Sequence, residues 1–171
     1  MARTALGLTA GGPARAAAGL AIACGALLAC GVIHKDIDVT KEFTAGGGPP
    51  TAEARIDGSE LTAPLAASQG DLAHLSAVTL RSARLEATDQ GDLSFVSGGT
   101  IVISGNNNLP DATLGTLAAP AGARADFKVD SARDLKPYLL AGALLNATIN
   151  YAQRPVTARG LRLTLTIRGG L

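Results

Sequence analysis

The sequence predicts an all-β fold, an antiparallel β-sandwich of about seven strands that follows an N-terminal signal peptide helix. Apolar and polar residues alternate with a period of two in several segments of the body, which is the pattern of a strand with one buried face. Clusters of Gly, Pro and Asn separate these segments, and none of them keeps the 3.6-residue period of a helix. Short strands between such turns are typical of sandwiches and barrels.

The composition is that of one domain with an aliphatic core. The chain has 171 residues, and only 3% of them are aromatic, so Leu, Val, Ile and Ala must fill the core. Without residues 1–29, which contain Arg3 and Arg15, the body has 13 basic and 14 acidic residues. A net charge of −1 does not give the basic surface that binds nucleic acid, so we expect no nucleic-acid partner.

The N-terminal segment has the pattern of a signal peptide. Residues 1–15 carry two arginines and no acidic residue, and residues 16–29 have no charge over 14 positions. A membrane-spanning helix requires about 20 apolar residues. Extending the apolar run to Ile33 gives only 18 residues, three of which are glycines. The segment is therefore interpreted as a removable signal peptide, with an uncleaved transmembrane anchor as the alternative.

The end of this segment resembles the lipobox of bacterial lipoproteins. Leu27-Leu28-Ala29-Cys30 has Leu at −3, a small residue at −1 and Cys at +1, although Leu28 stands where a small residue is commoner. The resemblance implies cleavage before Cys30, a thioether-linked diacylglycerol group on its sulfur, and acylation, as with palmitate, of its new α-amino group. Residues 1–29 would be the lipoprotein signal peptide and residues 30–171 a lipid-anchored β-sandwich domain.

A rival cysteine lies earlier in the apolar run. Ala21-Ile22-Ala23-Cys24 has Ala rather than Leu at −3 and would leave an apolar tail behind the lipid, so Cys30 is preferred. In a Gram-negative cell, an Asp in place of Gly31 would favour the inner membrane, and its absence favours the outer membrane, with the domain facing the periplasm or the cell surface. Since the chain has no other cysteine, a disulfide, a Cys-ligated zinc or a cysteine nucleophile in the body is excluded.

The first half of the body is predicted to begin with two strands. Alternating residues place them at 32–43 and 51–57, with a loop of three glycines and two prolines between them. Residues 58–71 contain Pro64 among several Ala and Ser residues, and Ser59-Glu60 could begin a turn of helix.

The next two strands are predicted to pair with each other as a hairpin. They occupy residues 76–88 and 93–104, on either side of a turn at residues 89–92. The apolar residues of the first of them change parity in the middle, which predicts a β-bulge near Arg81 and Ser82.

Three further strands complete the predicted sandwich, while residues 111–120 stay ambiguous. The three strands are at residues 123–130, 144–153 and 159–168. The arrangement resembles immunoglobulin-like domains. Because the Cys…Trp…Cys core of true immunoglobulin domains is absent, the resemblance implies the architecture alone.

One short segment resembles another group of proteins. Asp134-Leu135-Lys136-Pro137-Tyr138-Leu139, with the strands on either side, is similar to a segment of uncharacterised bacterial lipoproteins of the β-sandwich type. The resemblance extends over residues 75–171 and implies no activity. Pro137 prevents a long helix at this place. Tyr138 is predicted to bond its hydroxyl to the backbone, as in the tyrosine corner of sandwiches.

The candidate catalytic and metal-binding residues lack the neighbours that such chemistry requires. His34 and His74, the two histidines, lie outside any nucleophile motif such as G-x-S-x-G. Calcium binds six to eight oxygens, more than two nearby carboxylates supply. The residues considered are the pairs Asp36 and Asp38, Asp89 and Asp92 for calcium, and Glu86 and Asp92 for glycoside hydrolysis. We therefore predict no catalytic residue, no cofactor and no metal.

These features predict a non-enzymatic envelope lipoprotein, a structural or binding module that the lipid on Cys30 holds to the membrane. Its envelope partner, a protein or a glycan, stays open. The alternative is a small-molecule or glycan-binding surface lipoprotein. A concave sheet face with Asn146, Thr148 and Asn150 would favour it, whereas the absence of Trp removes the usual stacking surface for sugars. A pocket joining His74 to an acid and a serine would favour a hydrolase.

Overall fold

The computed structural model describes residues 34–47, 49–89 and 91–171. The predicted signal peptide, Cys30 and the first two residues of the first predicted strand lie outside these residues. Within them are nine strands, two α-helices and one turn of 3₁₀ helix. In chain order the elements are β1 His34–Ala45, β2 Thr51–Asp57, α1 Gly58–Gln69, the 3₁₀ turn Leu72–His74, β3 Ala77–Ala87, β4 Val96–Ile103, β5 Ala112–Leu117, β6 Arg124–Asp126, β7 Lys128–Val129, α2 Lys136–Leu140, β8 Leu144–Tyr151 and β9 Arg159–Gly170.

The strands form two antiparallel sheets. Sheet A has the strand order β1-β9-β3-β6, and sheet B has the order β2-β8-β4-β5-β7. The prediction of an all-β antiparallel sandwich is confirmed, with nine strands in the described part of the chain where about seven were predicted. β9 pairs with β1 and β3, and β8 pairs with β2 and β4, so the last two strands of the chain are central in their sheets.

The core lies between the two sheets and is aliphatic, as the composition predicts. On β9, Leu161, Leu163, Leu165 and Ile167 are fully buried, and the residues between them face outward. The same alternation on β8 buries Leu145, Ala147 and Ile149, which are equally inaccessible to solvent. Burial of these side chains supplies about 25 cal/mol per Å² of apolar surface and is the main stabilising contribution to the fold.

The predicted hairpin between β3 and β4 is wrong. β3 belongs to sheet A and β4 to sheet B, so the two strands never pair. The segment between them crosses from one sheet to the other. It is fixed by the buried side chains of Leu93 and Phe95, by the bond from Leu93 N to Gly122 O at 2.8 Å, and by an ion pair between Asp89 and Arg159. Alternation of apolar and polar residues shows that a strand has one buried face, and a strand of either sheet in a sandwich has such a face. The pattern therefore does not identify the sheet to which the strand belongs.

The predicted strand at residues 123–130 is two short strands in different sheets. β6 pairs with β3 in sheet A, and β7 pairs with β5 in sheet B. The chain changes sheets at Phe127, whose N–H donates to Ala83 O at 2.8 Å, while Asp130 N donates to Leu114 O at 2.8 Å. Side chains keep alternating through the change, so the sequence pattern is that of one strand.

The β-bulge predicted in β3 is confirmed. The register of β3 against β9 shifts between Leu80 and Ser82, so that one extra residue, Arg81, lies opposite the Ile167–Thr166 step. Leu80 and Ala83 both remain fully buried across the shift. The bulge thus returns the two apolar sets of β3 to the same face of the sheet.

Helix α1 is longer than the turn that the sequence suggested. Its first turn is closed by Glu60, whose carboxylate accepts a bond of 3.0 Å from Asp57 N, and Leu61 and Leu65 are buried beneath it. Pro64 lies inside the helix, which ends before Gly70 at a φ of 83°. At the end of α1, Gln69 Nε2 donates to Lys35 O at 3.2 Å, so the helix ends beside the start of β1.

Helix α2 is short, as Pro137 predicts. It has five residues, with Pro137 in its first turn. Tyr138 is buried, and its hydroxyl donates to Pro110 O at 3.0 Å, so the predicted bond from this tyrosine to the backbone is confirmed. Neither α-helix in the described ranges has the length and apolar character needed to cross a membrane.

The structure predicts that stability depends far more on the inner than on the outer face of β9. Leu163→Ala should lower the free energy of unfolding by about 2–5 kcal/mol, because it removes buried methyl groups and leaves a cavity. Thr164→Ala, one residue along and on the outer face, should change it by about 0.5 kcal/mol or less. Urea unfolding followed by circular dichroism measures both values. Similar losses in the two variants would contradict the assigned faces of β9.

Candidate functional site

The outward-facing residues of sheet A form a continuous polar surface, which we call the polar face. It arises because the same alternation that buries the leucines of β9 turns every intervening residue outward. β1, β3 and β6 contribute in the same way, since their registers with β9 and with each other align their polar residues in rows. The polar face comprises Asp36, Asp38, Thr40 and Glu42 of β1, Ser82, Arg84 and Glu86 of β3, Arg124 and Asp126 of β6, and Arg162, Thr164, Thr166 and Arg168 of β9.

One row of the polar face alternates in charge across all four strands. Glu42, Arg162, Glu86 and Arg124 lie opposite one another in successive strands, and we call them the charge row. Arg162 donates to Glu42 Oε1 at 2.7 Å, and Arg124 Nε lies 3.1 Å from Glu86 Oε1. The row therefore neutralises itself and offers alternating donors and acceptors instead of a net charge.

The polar face has two further ion pairs outside the charge row. Arg168 donates from two nitrogens to the two carboxylate oxygens of Asp36, at 2.6 and 2.7 Å. Arg84 binds Asp126 in the same two-bond manner, at 2.7 and 3.4 Å. Such paired bonds fix the plane of the guanidinium group as well as its distance. Arg84 and Arg168 are thus held in defined orientations.

A polar cleft opens on this face where the bulge of β3 lies. Its volume is about 290 Å³, and all the side chains that line it are polar. Thr166 Oγ1 donates to Asp38 Oδ1 at 2.7 Å within it. The cleft is lined by Asp38, Ser82, Arg84, Glu86, Asp126, Thr164 and Thr166. Hydroxyl, carboxylate and guanidinium groups together can donate to and accept from a polar, multiply hydrogen-bonding ligand.

Two carboxylates of the polar face, those of Asp36 and Asp126, have a lowered pKa because an arginine binds each of them. The hydrogen bond from Arg168 lowers the pKa of Asp36 below its usual value, and the bond from Arg84 does the same for the pKa of Asp126. Both groups are well exposed to solvent, so their charges are screened and their ion pairs add little to stability. The pairs define the chemistry of the surface more than they hold the fold together.

Neither histidine lines the polar cleft. His34 is exposed at the start of β1, beside Ser76 and Gly170 in a small cavity of about 70 Å³. His74 is exposed in the 3₁₀ turn, where its backbone N–H donates to the backbone oxygen of Asp71 at 2.9 Å. The carboxylate of Asp71 accepts from Ala73 N instead. The structure thus gives His74 the backbone role of a turn residue.

The carboxylates considered as calcium ligands each have another partner. Asp89 is bound by Arg159, and Asp92 accepts from the backbone and the hydroxyl of Ser94 at 3.2 and 2.7 Å. These bonds lower the pKa of both aspartates. Within residues 34–47, 49–89 and 91–171, no three His, Cys, Asp or Glu side chains are grouped so as to hold a metal ion.

Glu86 and Asp92, the pair considered for glycoside hydrolysis, lie in two different parts of the structure. Glu86 belongs to the charge row and lines the polar cleft, while Asp92 lies in the crossover segment after β3 and binds Ser94. The structure does not bring the two carboxylates together in this cleft.

The Asn and Thr residues of β8 lie on the outer face of sheet B. Asn146 and Thr148 are half-buried there and Asn150 is exposed. The Oδ1 atom of Asn146 is buried and accepts no hydrogen bond from the described residues. The polar cleft, in contrast, is on sheet A. The sequence alone did not reveal this cleft, because only the registers among β1, β9, β3 and β6 bring its residues together, although their alternating polar positions were visible.

The ion pairs predict a specific pKa change. Arg84→Gln should raise the pKa of Asp126 toward the ordinary value of about 3.9, because the variant loses the bond and the positive charge that favour the carboxylate. In the wild-type protein this ion pair stabilises the fold above that ordinary value, and its contribution is lost as the pH falls through the lowered pKa of Asp126.

Carboxyl-carbon NMR titration measures this change residue by residue. Asp36 is the internal control, since its partner Arg168 is unaltered and its pKa should stay low in the Arg84→Gln variant. An unchanged Asp126 titration would show that Arg84 does not bind it in solution.

Comparison with known proteins does not add a family to this description. No protein-family model matches the chain. No curated protein is significantly similar to it. The polar face, the polar cleft and the N-terminal sequence pattern are therefore the features from which a function has to be inferred.

Proposed function

We propose that the chain is a non-enzymatic envelope lipoprotein, in which Cys30 carries the lipid and the sandwich binds another envelope component through its polar face. The observation that carries the proposal is Leu27-Leu28-Ala29-Cys30 at the end of a charge-free segment, four residues before β1 begins at His34. Gly31 after the modified cysteine favours the outer membrane as the site of attachment.

The described body is consistent with this role in three respects. The first and last described strands, β1 and β9, pair along the whole length of β1, so the point of attachment leads directly into an edge strand that is fully paired with its neighbour. Its buried surface is aliphatic and its outer face on sheet A is polar. The body also contains no cysteine, which leaves Cys30 as the one thiol in the proposed mature chain.

The polar face is the favoured contact surface for a partner. Arg84 and Arg168 are oriented by paired bonds, and the charge row presents donors and acceptors in a fixed order across four strands. Polar interfaces of this kind obtain specificity from complementary charge order. Because the outer face adds little to stability, its residues are free to be selected for binding.

A small-molecule or glycan-binding lipoprotein is the second candidate. The polar cleft of about 290 Å³ favours it, since hydroxyl and carboxylate side chains are the groups that bind sugar hydroxyls. The same surface would then contact a glycan in place of a protein, so one experiment on the polar face distinguishes the two.

The anchor is tested by Cys30→Ala in cells that are fed a labelled palmitate. The variant should lose the label, because without the Cys30 sulfur the thioether cannot form. Cys24→Ala is the matched control, since it removes the rival cysteine and should leave label and location unchanged. The intact mass of the wild-type protein also distinguishes a cleaved, lipidated chain from an uncleaved anchor.

The opposite results would be decisive. Labelling that persists in Cys30→Ala overturns the lipoprotein assignment. Loss of label in Cys24→Ala would transfer the modification to Cys24, and the uncleaved mass would establish the transmembrane alternative.

The contact surface is tested by a photo-crosslinking amino acid at position 164 or at position 148 of the full chain in cells. Thr164 and Thr148 are matched, because both are half-buried threonines on the outer face of a central strand, in sheet A and sheet B respectively. Crosslinks should form from position 164 and be weak from position 148. Mass spectrometry of the product identifies a protein or a glycan.

A second variant ties the crosslink to the charge row. Arg162→Glu places three acidic residues in succession along that row, so it should reduce crosslinking from position 164 severalfold while the circular dichroism spectrum is retained. Equal crosslinking from positions 164 and 148 contradicts the role given to the polar face. So does an Arg162→Glu variant whose crosslinking is unchanged at both positions.

A further inference from the structure

We propose that the end of the sandwich at which β1 begins rests on the bilayer, with an apolar groove between α1 and α2 facing the lipid. The inference rests on the proposed lipidation of Cys30 and adds an orientation and a second contact with the membrane. It assigns a lipid surface, and neither a protein partner nor a second copy of the chain, as the occupant of the groove.

The groove has the size and composition of a hydrophobic contact site. Its volume is about 430 Å³, and it is formed by the outer side of α1, the 3₁₀ turn and the end of α2. Leu140, the last residue of α2, is 58% exposed at its rim. The groove is lined by Thr62, Ala63, Ala66, Asp71, Leu72, Leu139 and Leu140.

Several contacts place this groove at the end of the sandwich where β1 begins. Gln69 at the end of α1 donates to the carbonyl of Lys35, the second residue of β1. The 3₁₀ turn leads into β3, whose first residue Ala77 lies opposite Gly170 on β9. Gly170 also lies opposite His34, so the starts of β1 and β3 and the helical segments share one end.

Lys136 joins the remaining helix to the same end. Its Nζ donates to the carbonyls of Ala73 and Leu75 at 2.9 and 2.6 Å, which binds α2 to the 3₁₀ turn. The carboxylate of Asp71 at the edge of the groove accepts from Ala73 N, so it is partly satisfied within the protein and faces the polar headgroup level.

The length of the connecting chain decides what covers the groove. His34 follows Cys30 by four residues, and four residues span at most about 14 Å. A lipid on Cys30 would therefore hold this end of the sandwich within about 14 Å of the bilayer. A partner protein would have little room to enter between them, whereas lipid headgroups and acyl chains are already there.

A second large exposed apolar side chain, Val156, provides a contrast to Leu140. Val156 is 99% exposed in the connection between β8 and β9. β9 begins at Arg159, which lies opposite Ala45 at the far end of β1. Leu140 and Val156 are thus exposed apolar residues at opposite ends of the same body, which makes Val156 the natural control position.

The test uses the full chain purified from cells and placed in vesicles of phosphatidylethanolamine and phosphatidylglycerol that contain a spin-labelled phospholipid as quencher. A polarity-sensitive dye is attached through L140C, A63C or V156C. When Cys30 is lipidated its sulfur is blocked, so the introduced thiol is the only one that reacts. Lipid should quench the dye at positions 140 and 63 severalfold more than at position 156. Adding Leu140→Glu to the A63C protein should reduce that quenching.

Each outcome bears on a different part of the inference. Equal quenching at positions 140, 63 and 156 in a protein whose mass shows lipid on Cys30 overturns the orientation and leaves the anchor intact. A free Cys30 thiol in the mass spectrum overturns the anchor and the orientation together. Efficient disulfide dimerisation of L140C would mean that a second copy covers the groove, and this also overturns the assignment to lipid.

Discussion

The pairing of the first described strand with the last is the constraint on which the rest of the structure depends. β1 and β9 are antiparallel over twelve residue pairs, from His34 opposite Gly170 to Ala45 opposite Arg159. This register decides which residues of both strands enter the core, because a slip of one residue would turn every side chain to the other face. It also determines the order of groups on the polar face and the end of the sandwich at which the chain enters it.

The two faces of β9 have separate physical roles. The inner leucines lose their contact with water completely, and that burial stabilises the fold. The outer arginines and threonines stay in contact with solvent, where ion pairs contribute little because water and salt screen them. A surface of this kind can change in sequence while the core keeps the fold, which is why a binding role for it is physically reasonable.

The sequence could predict most strands and their buried faces, because alternation is a local property. The bulge near Arg81 was predictable for the same reason. The bond from the Tyr138 hydroxyl to Pro110 O joins residues 28 apart and was expected instead from the likeness to the tyrosine corner of sandwiches. The pairing of β3 with β9, and not with β4, was not predictable, since Leu93 and Phe95 fit the core from either sheet. The change of sheet at Phe127 leaves the alternation of buried and exposed residues intact, so it could not be predicted from the sequence either.

Helix α1 shows a different limit. Pro64 and the many small residues around it obscured the helix, although Asp57 and Glu60 at its start form a recognisable cap. The polar cleft depends on registers among four strands, so its residues could be recognised as exposed but not as neighbours. Locating the cleft therefore required the structure, whereas the pattern of residues that ends at Cys30 could be recognised from the sequence alone.

The self-neutralised charge row limits what kind of partner the proposed function can involve. Each glutamate in it already faces an arginine, and the body as a whole is nearly neutral, so no strong field attracts a charged partner from a distance. Recognition must then come from hydrogen bonds that exchange directly with the existing pairs, at short range and with weak dependence on salt. The proposed tether of four residues would suit such a surface, because confinement at the membrane would raise the local concentration of a partner, which a weak field does not do.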